Sequence, residues 1–416
     1  MDEANTRPAI LQRKMKGDGR LMKIGQFTDT LLPVVDGVGR VVSNYAQAMG
    51  RLCEACYVIA PQQKNLYQGS LPYEIVDFSG IPLPKLQQYR AGLPALDAHY
   101  LSRIAQVQLD IAHAHSPFIA GREAYRISRR QGIPLVGTFH SKYYDDFYQY
   151  SHSSMLSSMG NRLVIDFFSK CDQVWAVSNS TAEVLRRYGF TGPVEVVENG
   201  TDRKEPDIQA AQMVEERFNL GQRPLLLYVG QMNWKKNIRR ILEVVDALIR
   251  QGRDIRLIMA GQGPSEQEIR ALSAALGLED AVVHAGHITD VRLLDGLYTR
   301  ADLFVFPSLY DNAPMVVREA AAVGTPSLLT RGSSAAEVVR DGENGLLADD
   351  TTADMAACIA WALDNPVRLR EIGMAAWATI PKPWEEVITE VLARYEDLIR
   401  TMQRSRRCKT RLRLPL

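Results

Sequence analysis

The chain has 416 residues, of which 46% are hydrophobic and 23% charged, and its formal net charge is +1. This length allows two domains with a core each, and the balanced composition argues against disorder and against a bulk nucleic-acid binder. No stretch reaches the roughly 18–20 apolar residues of a membrane span, and the five scattered cysteines give no disulfide framework, which favours a cytoplasmic location.

The first half of the sequence alternates short apolar stretches with amphipathic ones. Residues 1–20 predict a flexible, mildly basic leader that lacks the apolar core of a signal peptide. The predicted strands that follow are LMKIGQFTD, CYVIAP, DIAHAHS, PLVGTFHS, QVWAVS and VEVVENG, and VGRVVSNYAQAMGRL predicts a helix. Strands that alternate with helices indicate a parallel sheet covered on both faces, so we expect a Rossmann-like domain over residues 21–203.

The pattern restarts after the polar segment GTDRKEPDIQAAQ. Its predicted strands are RPLLLYVGQM, DIRLIMAGQGP, AVVHAGHI, DLFVFPS and TPSLLTR. We expect a second Rossmann-like domain over residues 204–380, a helix over 381–402 that crosses back to the first domain, and a basic tail over 403–416. The predicted fold class is α/β, with two doubly wound domains that face a central cleft, because ligands of such sheets bind beyond the carboxyl ends of the strands.

Candidate ligand contacts in the first domain begin with the loop after the first strand. Asp36, Gly37 and Gly39 precede or open a helix, and two close glycines allow the backbone to approach a ligand. The segment is not a dinucleotide fingerprint, since Val42 stands at the third glycine position. The alternative interpretation, in which residues 36–39 form a plain loop without a ligand contact, is about as well supported as the ligand-binding one.

Two histidines end later strands of the first domain. His115 and His140 are candidates for hydrogen bonds to a sugar hydroxyl, although each taken alone is more often a structural histidine. Tyr143 and Tyr144 follow in the aromatic run SKYYDDFYQYSH. That run predicts either an acceptor-binding surface or a partly buried helix face.

The second domain offers cations and glycines at strand ends. Lys235 and Lys236 follow a strand and attract phosphate as point charges, although most such lysine pairs are simply solvated. Gly261 and Gly263 lie in the strand-to-helix turn AGQGPSEQEI, which either lines a nucleotide base or is only a tight turn.

The segment YDNAPMVVREAA places two acids on either side of a predicted helix N-terminus. Asn312 is a plausible N-cap, and the amides of Met315 and Val316 together with the helix dipole form an anion site. Asp311 precedes the helix, whereas Glu319 lies about one and a half turns inside it. A phosphate between two groups that bind hydroxyls matches the shape of a nucleotide-sugar.

These segments together resemble glycosyltransferase family 4, whose members are retaining enzymes with the GT-B architecture. The resemblance extends from residue 21 to about residue 402, and its N-terminal motif FTDTLLPVVDGVGRVV is nearest to glycolipid-forming hexosyltransferases. Its other carriers are GTFHSKYYDDFYQY, VSNSTAEVLRRYG, VVENGTD, LLYVGQMNWKKNI, LIMAGQGP and ADLFVFPSLYDNAPMVVREAAAVGTPSLL. The resemblance implies transfer of a hexose from a nucleoside diphosphate sugar, UDP-linked before GDP-linked, to a lipid or glycan hydroxyl. It also implies that the domain over residues 21–203 binds the acceptor and that the domain over residues 204–380 binds the nucleotide-sugar.

The resemblance also implies roles for individual residues. His140 and Asp311 would contact the transferred sugar, and Lys236 the diphosphate; these three form the expected catalytic set. The expected donor-binding set is Gly37, Gly39, Gln231, Lys235, Lys236, Gly261, Gly263, Asn312, Met315, Val316 and Glu319. The expected acceptor-binding set is Asp36, Tyr143 and Tyr144. No cofactor, metal or nucleic acid is expected, since the nucleotide-sugar is a substrate and a positive helix end replaces a cation.

Two positions depart from the family pattern. Asp311 stands where Glu is usual, and Gln231 replaces an arginine, a loss for which Lys235 is placed to compensate. Two alternatives therefore stay open: a catalytically weak protein that binds nucleotide-sugar or forms a complex, and another GT-B activity such as an epimerase or phosphorylase. The segment RTMQRSRRCKTRLRLPL has seven Arg or Lys residues and no acid, which predicts either contact with an anionic membrane on its inner face or a solvated tail.

Overall fold

The computed structural model describes residues 21–31, 37–62, 70–83, 86–221 and 223–411. They divide into two compact units. The first consists of the described residues up to Val197 together with those from Glu385 onward, and the second is Glu198–Trp384. The sequence predicted the boundary between the two domains after residue 203, a few residues beyond the boundary in the structure, which follows Val197. Within the second unit the Thr201 amide donates to the Lys382 carbonyl, which joins the two segments at which the chain enters and leaves that unit.

The first unit contains a parallel sheet and an antiparallel hairpin. Its strands are β1 Lys23–Phe27, β2 Ala55–Pro61, β3 Glu74–Phe78, β4 Gly80–Leu83, β5 Leu86–Gly92, β6 Ile111–Ala114, β7 Leu135–Phe139, β8 Gln173–Ala176 and β9 Glu195–Val196. Its helices before residue 198 are α1 Gly37–Leu52, α2 Ala98–Gln106, α3 Ile119–Gln131, α4 Tyr143–Ser151, α5 Ser154–Phe168 and α6 Asn179–Arg187. The sheet order is β3-β2-β1-β6-β7-β8-β9, and β4 pairs with β5.

The second unit repeats this plan. Its strands are β10 Leu225–Val229, β11 Arg256–Ala260, β12 Val282–Gly286, β13 Leu303–Phe306, β14 Ser327–Thr330 and β15 Leu346–Ala348. Its helices are α7 Ile208–Phe218, α8 Ile238–Arg250, α9 Glu266–Ala275, α10 Val291–Arg300, α11 Met315–Ala322, α12 Thr352–Asp364 and α13 Pro366–Thr379. The order β12-β11-β10-β13-β14-β15 is parallel throughout.

Local sequence explains why these elements form. Every residue of β6, β7 and β13 is buried, as expected for parallel strands covered on both faces. Side-chain caps set several helix starts: Asp97 accepts from an amide at the start of α2, and Ser178 does so at the start of α6. The strands predicted from apolar stretches are confirmed, as is the helix that opens at Gly37.

Each sheet reverses its strand order at one point, and this point locates the candidate site. The reversal lies between β1 and β6 in the first unit and between β10 and β13 in the second. Ligands of doubly wound sheets bind beyond the carboxyl ends of strands at such a switch point. In the second unit, the chain after β10 leads to Lys236 and the chain after β13 to Asp311. In the first unit, His115 follows β6 and His140 follows β7.

The last described helix, α14 (Trp384–Arg411), belongs from Glu385 onward to the first unit. It continues beyond the predicted end at residue 402, so residues 403–411 of the segment predicted as a basic tail are helical. Its Tyr395 is completely buried, and the ring stacks on that of Trp175 with centroids 5.6 Å apart. Arg394, the preceding residue, forms an ion pair with Glu195. Among the described residues, no helix has both the length and the apolar composition needed to cross a bilayer.

Candidate active site

An ion pair joins the two loops at the switch point of the second unit. Lys236 Nζ donates to Asp311 Oδ1 at 2.6 Å, and the two side chains are only 12% and 19% exposed. The second carboxylate oxygen of Asp311 accepts from Ser308 Oγ, also at 2.6 Å. Because the pair is mostly shielded from water, its geometry is better fixed than that of a surface ion pair.

The turn that carries Lys236 is anchored on both sides. It is a single 3₁₀ turn, Trp234–Lys236, in which Asn233 Oδ1 accepts from the Lys235 amide. Asn237 ends the turn in the left-handed conformation, with φ 60°, and its side-chain amide donates to Asp350 at 2.9 Å. Lys236 therefore extends from a rigid turn rather than from a mobile loop.

Lys235 has a different environment from its neighbour. Its ammonium lies over the ring of Tyr310, 4.1 Å from the centroid, whereas Lys236 Nζ is 5.4 Å from the same centroid. A cation this close to an aromatic face gains a cation–π interaction. The two lysines and Tyr310 thus form one cationic cluster beside Asp311.

The helix that follows Asp311 begins later than the sequence predicted. Pro314, with ψ 126°, is the N-cap of α11, and it offers no side-chain cap. The prediction of Asn312 as N-cap is therefore wrong, because the extended conformation of Pro314 delays the first helical residue to Met315. The Met315 and Val316 amides precede Val317, whose amide donates to the Pro314 carbonyl. The first turn of α11 hence keeps the geometry of an anion-binding helix end.

Glu319 is held by a tyrosine that the sequence did not single out. The Tyr298 hydroxyl, from the buried side of α10, donates to Glu319 Oε2 at 3.0 Å. Glu319 lies one helical turn after Met315, with Asp311 on the other side of the helix start. Within the second unit, Asp311 thus contacts Lys236 and Ser308, whereas Glu319 contacts Tyr298.

Gly261 and Gly263 pack the loops after β10 and β11 together. The Gly261 backbone has φ 142°, and an added Cβ would overlap the Gly230 carbonyl oxygen. An added Cβ on Gly263 would overlap the Met232 carbonyl oxygen. These contacts favour the tight-turn interpretation. Gln231 lies in the loop after β10, between Gly230 and Met232. It is partly exposed, and its carbonyl accepts from the Tyr228 hydroxyl at 3.0 Å.

Replacing Gly261 with alanine should therefore lower the free energy of unfolding of the second unit by about 2–5 kcal/mol, from positive-φ strain plus overpacking. Urea denaturation followed by tryptophan fluorescence measures this loss. Gly277→Ala is the matched control, since Gly277 has φ 69° but open space around it, and should cost about 1 kcal/mol. Equal losses in the two variants would show that the backbone contact at Gly261 is unimportant.

In the first unit, His140 joins a group of buried histidines. Its Nε2 lies 3.1 Å from His115 Nδ1, and the two rings stack with centroids 5.3 Å apart. His115 is 1% exposed and also contacts Gln26 at 2.7 Å, so it lies inside the unit and does not face a ligand directly. Burial lowers the pKa of His140 to about 3, and it lowers the pKa values of His113 and His115 well below the usual range. His140 is therefore neutral at physiological pH.

The other predicted residues of the first unit have varied surroundings. Tyr143 is buried, and its ring packs edge-on against Phe139, which favours the buried-face interpretation for this residue. Tyr144 is partly exposed, and its amide contacts the Tyr188 hydroxyl. Gly37 begins α1 with open space where a side chain would be, and Gly39 lies one turn before Ser43, whose hydroxyl donates to it. Asp36 lies outside the described residues.

Sequence reasoning missed several residues that support these side chains. Ser308 lies three positions before Asp311, a spacing at which a hydroxyl often binds a nearby carboxylate or amide, so a local signal existed. Tyr298 and Tyr310 had none, since their partners depend on how distant segments pack. Gln26 was hidden inside an apolar strand.

Two family models match the chain. The model described as Glycosyltransferase Family 4 matches residues 35–205, and that described as Glycosyl transferases group 1 matches residues 212–376. The chain belongs to glycosyltransferase family 4. The predicted family and the predicted enzyme class, a glycosyltransferase, are confirmed.

Two relatives illustrate the range of this glycosyltransferase's family. The GDP-mannose-dependent alpha-mannosyltransferase of Corynebacterium glutamicum is 25% identical, and the match covers 92% of the chain and 91% of the relative. The alpha-monoglucosyldiacylglycerol synthase of Streptococcus pneumoniae is 26% identical, with coverages of 73% and 70%.

Solved structures show the same fold. HepE from Anabaena, in complex with UDP and glucose, matches with a TM-score of 0.72 and 16% identity over 91% of this glycosyltransferase and 100% of that chain. Sucrose-phosphate synthase from Thermosynechococcus elongatus matches with a TM-score of 0.77 and 20% identity over the same fractions. Together with the two parallel sheets, these likenesses confirm the predicted α/β GT-B fold.

Proposed function

We propose that this glycosyltransferase moves a hexose, with retention of configuration, from a nucleoside diphosphate sugar to a lipid or glycan hydroxyl. The observation that carries the proposal is the Lys236–Asp311 ion pair at the switch point of the second sheet, directly before α11. A fixed cation and a helix N-terminus are what a departing diphosphate needs.

The reaction divides among these groups as follows. The bond between the anomeric carbon and the diphosphate oxygen breaks, and its electron pair leaves with the diphosphate. Lys236 and the Met315 and Val316 amides stabilise that charge. The acceptor hydroxyl forms the new bond on the same face, and its proton passes to the departing phosphate oxygen. No second carboxylate is required as a nucleophile, in contrast to retaining glycosidases, and no metal is required.

UDP-sugars are the favoured donors and GDP-sugars the second choice. HepE binds UDP and glucose, whereas the C. glutamicum relative is named for GDP-mannose. A lipid acceptor is supported by the name of the S. pneumoniae relative and by the N-terminal motif.

A donor-and-acceptor screen tests the proposal. Purified full-length protein is incubated with UDP- and GDP-hexoses and with diacylglycerol or oligosaccharide acceptors, and products are identified by mass spectrometry and their anomeric configuration by NMR. We expect an α-linked product from an α-linked donor. Neither turnover nor saturable nucleotide binding with any donor would refute the proposal.

The catalytically weak alternative is favoured by one observation: both oxygens of Asp311 are engaged within the protein, by Lys236 and Ser308. Restoring the usual residues with Gln231→Arg and Asp311→Glu distinguishes the two hypotheses. A full enzyme should gain less than about fivefold in kcat/KM, roughly 1 kcal/mol. A gain of several orders of magnitude would favour the weak alternative.

The basic tail supplies a membrane contact in this proposal. Each Lys or Arg near an anionic surface contributes about 1 kcal/mol at low ionic strength, so the cluster after residue 402 is sufficient for reversible binding. Deleting residues 403–416 should abolish co-flotation with vesicles that contain anionic lipid and leave the low recovery with neutral vesicles unchanged. Equal flotation of the full-length and shortened proteins would exclude this role of the tail.

A further inference from the structure

A buried chain of hydrogen bonds leads from the C-terminal helix to His140. Gln26, in the central strand β1, has its side-chain nitrogen 3.3 Å from the Tyr395 hydroxyl and its oxygen 2.7 Å from His115 Nε2. His115 Nδ1 in turn lies 3.1 Å from His140 Nε2. Gln26 and Tyr395 are 0% exposed, and His115 is 1% exposed. All four residues belong to the first unit.

The orientation of the Gln26 amide is fixed by what surrounds its nitrogen. That nitrogen also contacts Met49 Sδ at 3.2 Å, and sulfur only accepts. The same nitrogen donates to the Tyr395 hydroxyl oxygen, which leaves the hydroxyl proton for His113 Nδ1, 2.5 Å away, as the acceptor. His113 Nε2 then donates to Thr138 Oγ1 at 2.7 Å.

With the amide fixed, the proton positions on the histidines follow. The Gln26 oxygen can only accept, so His115 carries its proton on Nε2 and accepts on Nδ1. His140 must therefore donate from Nε2. A neutral imidazole that donates from one nitrogen accepts with the other, so Nδ1 of His140 is an acceptor.

A purely structural role explains this network poorly. Burying polar groups in a core is costlier than burying apolar ones of the same size, and the cost is recovered only if all are paired. The network nevertheless extends from Tyr395 to the carboxyl end of β7, next to the switch point of the first sheet. Its endpoint is the half-buried His140, for which the family resemblance implies a contact with the donor sugar.

We propose that Gln26, His115 and Tyr395 are positioning residues for glycosyl transfer: they fix the tautomer of His140, so that its Nδ1 accepts a hydrogen bond from a hydroxyl of the donor hexose. The inference rests on the proposed function, in which a donor hexose is transferred, and on the contact between His140 and that hexose that the family resemblance implies. Fixing the proton in advance removes the cost of selecting one tautomer when the donor binds.

Three variants separate positioning from stability. Gln26→Glu keeps the shape but favours protonated His115, which then donates from Nδ1 and forces His140 into the opposite tautomer. Tyr395→Phe keeps the stacked ring but releases the Gln26 amide. Thr138→Val removes an equally buried hydrogen bond at the opposite end of the network and is the matched control.

The first readout is the set of ring-nitrogen NMR shifts of the full-length protein labelled with ¹⁵N-histidine, in which the His140→Gln variant identifies the signal of His140. The second readout is steady-state kinetics with the donor found in the screen. We expect a proton on Nε2 of His140 in the wild type and on Nδ1 in Gln26→Glu. That variant should lose at least about tenfold in kcat with little change in donor KM. Tyr395→Phe should lose less, and Thr138→Val less than about twofold.

Several outcomes would overturn the inference. If His140 in the wild type carries its proton on Nδ1, or on both nitrogens, the proposed tautomer is wrong. If Thr138→Val and Gln26→Glu lose equally in kcat, the network has a structural role only. Failure of the proposed function looks different: the wild type then shows no transfer, or His140→Gln leaves transfer unchanged.

Discussion

Replacing Lys236 with alanine should reduce kcat/KM for glycosyl transfer by a factor of about 10² to 10³, the effect of removing one preorganised charge from a developing anion. Lys236 Nζ donates to Asp311 at 2.6 Å in a largely shielded position. Its loss removes a cation from the departing diphosphate and also leaves the Asp311 carboxylate uncompensated beside it. Both consequences act in the same direction, so the effect is large.

Lys235→Ala provides the matched control for this result. The ammonium of Lys235 lies over the Tyr310 ring, 4.1 Å from its centroid, and a cation–π contact of this kind contributes about 1 kcal/mol, so we expect a loss below about fivefold. Steady-state kinetics and calorimetric titration with the nucleoside diphosphate distinguish transfer from binding. Equal losses for the two lysines would indicate a diffuse basic patch rather than a specific ion pair.

Asp311 should respond differently from its partner. Asp311→Ala leaves Lys236 free to bind diphosphate, so nucleotide affinity should change little while kcat falls, because the lysine loses the group that orients it and the sugar loses a contact. Asp311→Asn keeps the shape and should be milder.

The sequence predicted the central strands well and the edges poorly. Central strands such as β7 and β13 are short apolar runs, and such a run can be recognised from the local sequence alone. The missed β3 lies at a sheet edge with only Val76 and Phe78 buried, and β15 has only three residues, so neither is a continuous apolar run. The hairpin of β4 and β5 was missed as well, since its strands include a proline and a glycine.

In the candidate site, residue types were predictable but partnerships were not. Lys236 and Asp311 are 75 positions apart, and their contact depends on β10 and β13 being neighbours, which no local spacing reveals. Gln26 and Tyr395 are 369 positions apart and meet only because the C-terminal helix belongs to the first unit. The start of α11 was misplaced because asparagine is a preferred N-cap residue, whereas in the structure the extended Pro314 occupies the N-cap, two positions later.

Replacing Glu319 with alanine should weaken nucleotide binding by about 10- to 100-fold while changing kcat little. Hydrogen bonds to a carboxylate contribute about 1.5–3 kcal/mol each, and the expected partners are ribose hydroxyls, which do not change during transfer. An interaction that is the same in the ground state and the transition state affects binding alone. Calorimetric titration with UDP and GDP, together with kinetics at saturating donor, measures the two effects separately.

Tyr298→Phe serves as the graded control for Glu319, because it removes only the hydroxyl that donates to Oε2 at 3.0 Å and keeps the buried ring. The carboxylate remains but is less well oriented, so the Kd should rise by a few-fold, about 1 kcal/mol. We expect the Kd for nucleotide to be highest in Glu319→Ala, intermediate in Tyr298→Phe and lowest in the wild type, while kcat stays nearly constant. If Glu319→Ala instead lowered kcat as Asp311→Ala does, with Kd unchanged, the two acids would act together on the sugar and the separation of nucleotide binding from transfer would be wrong.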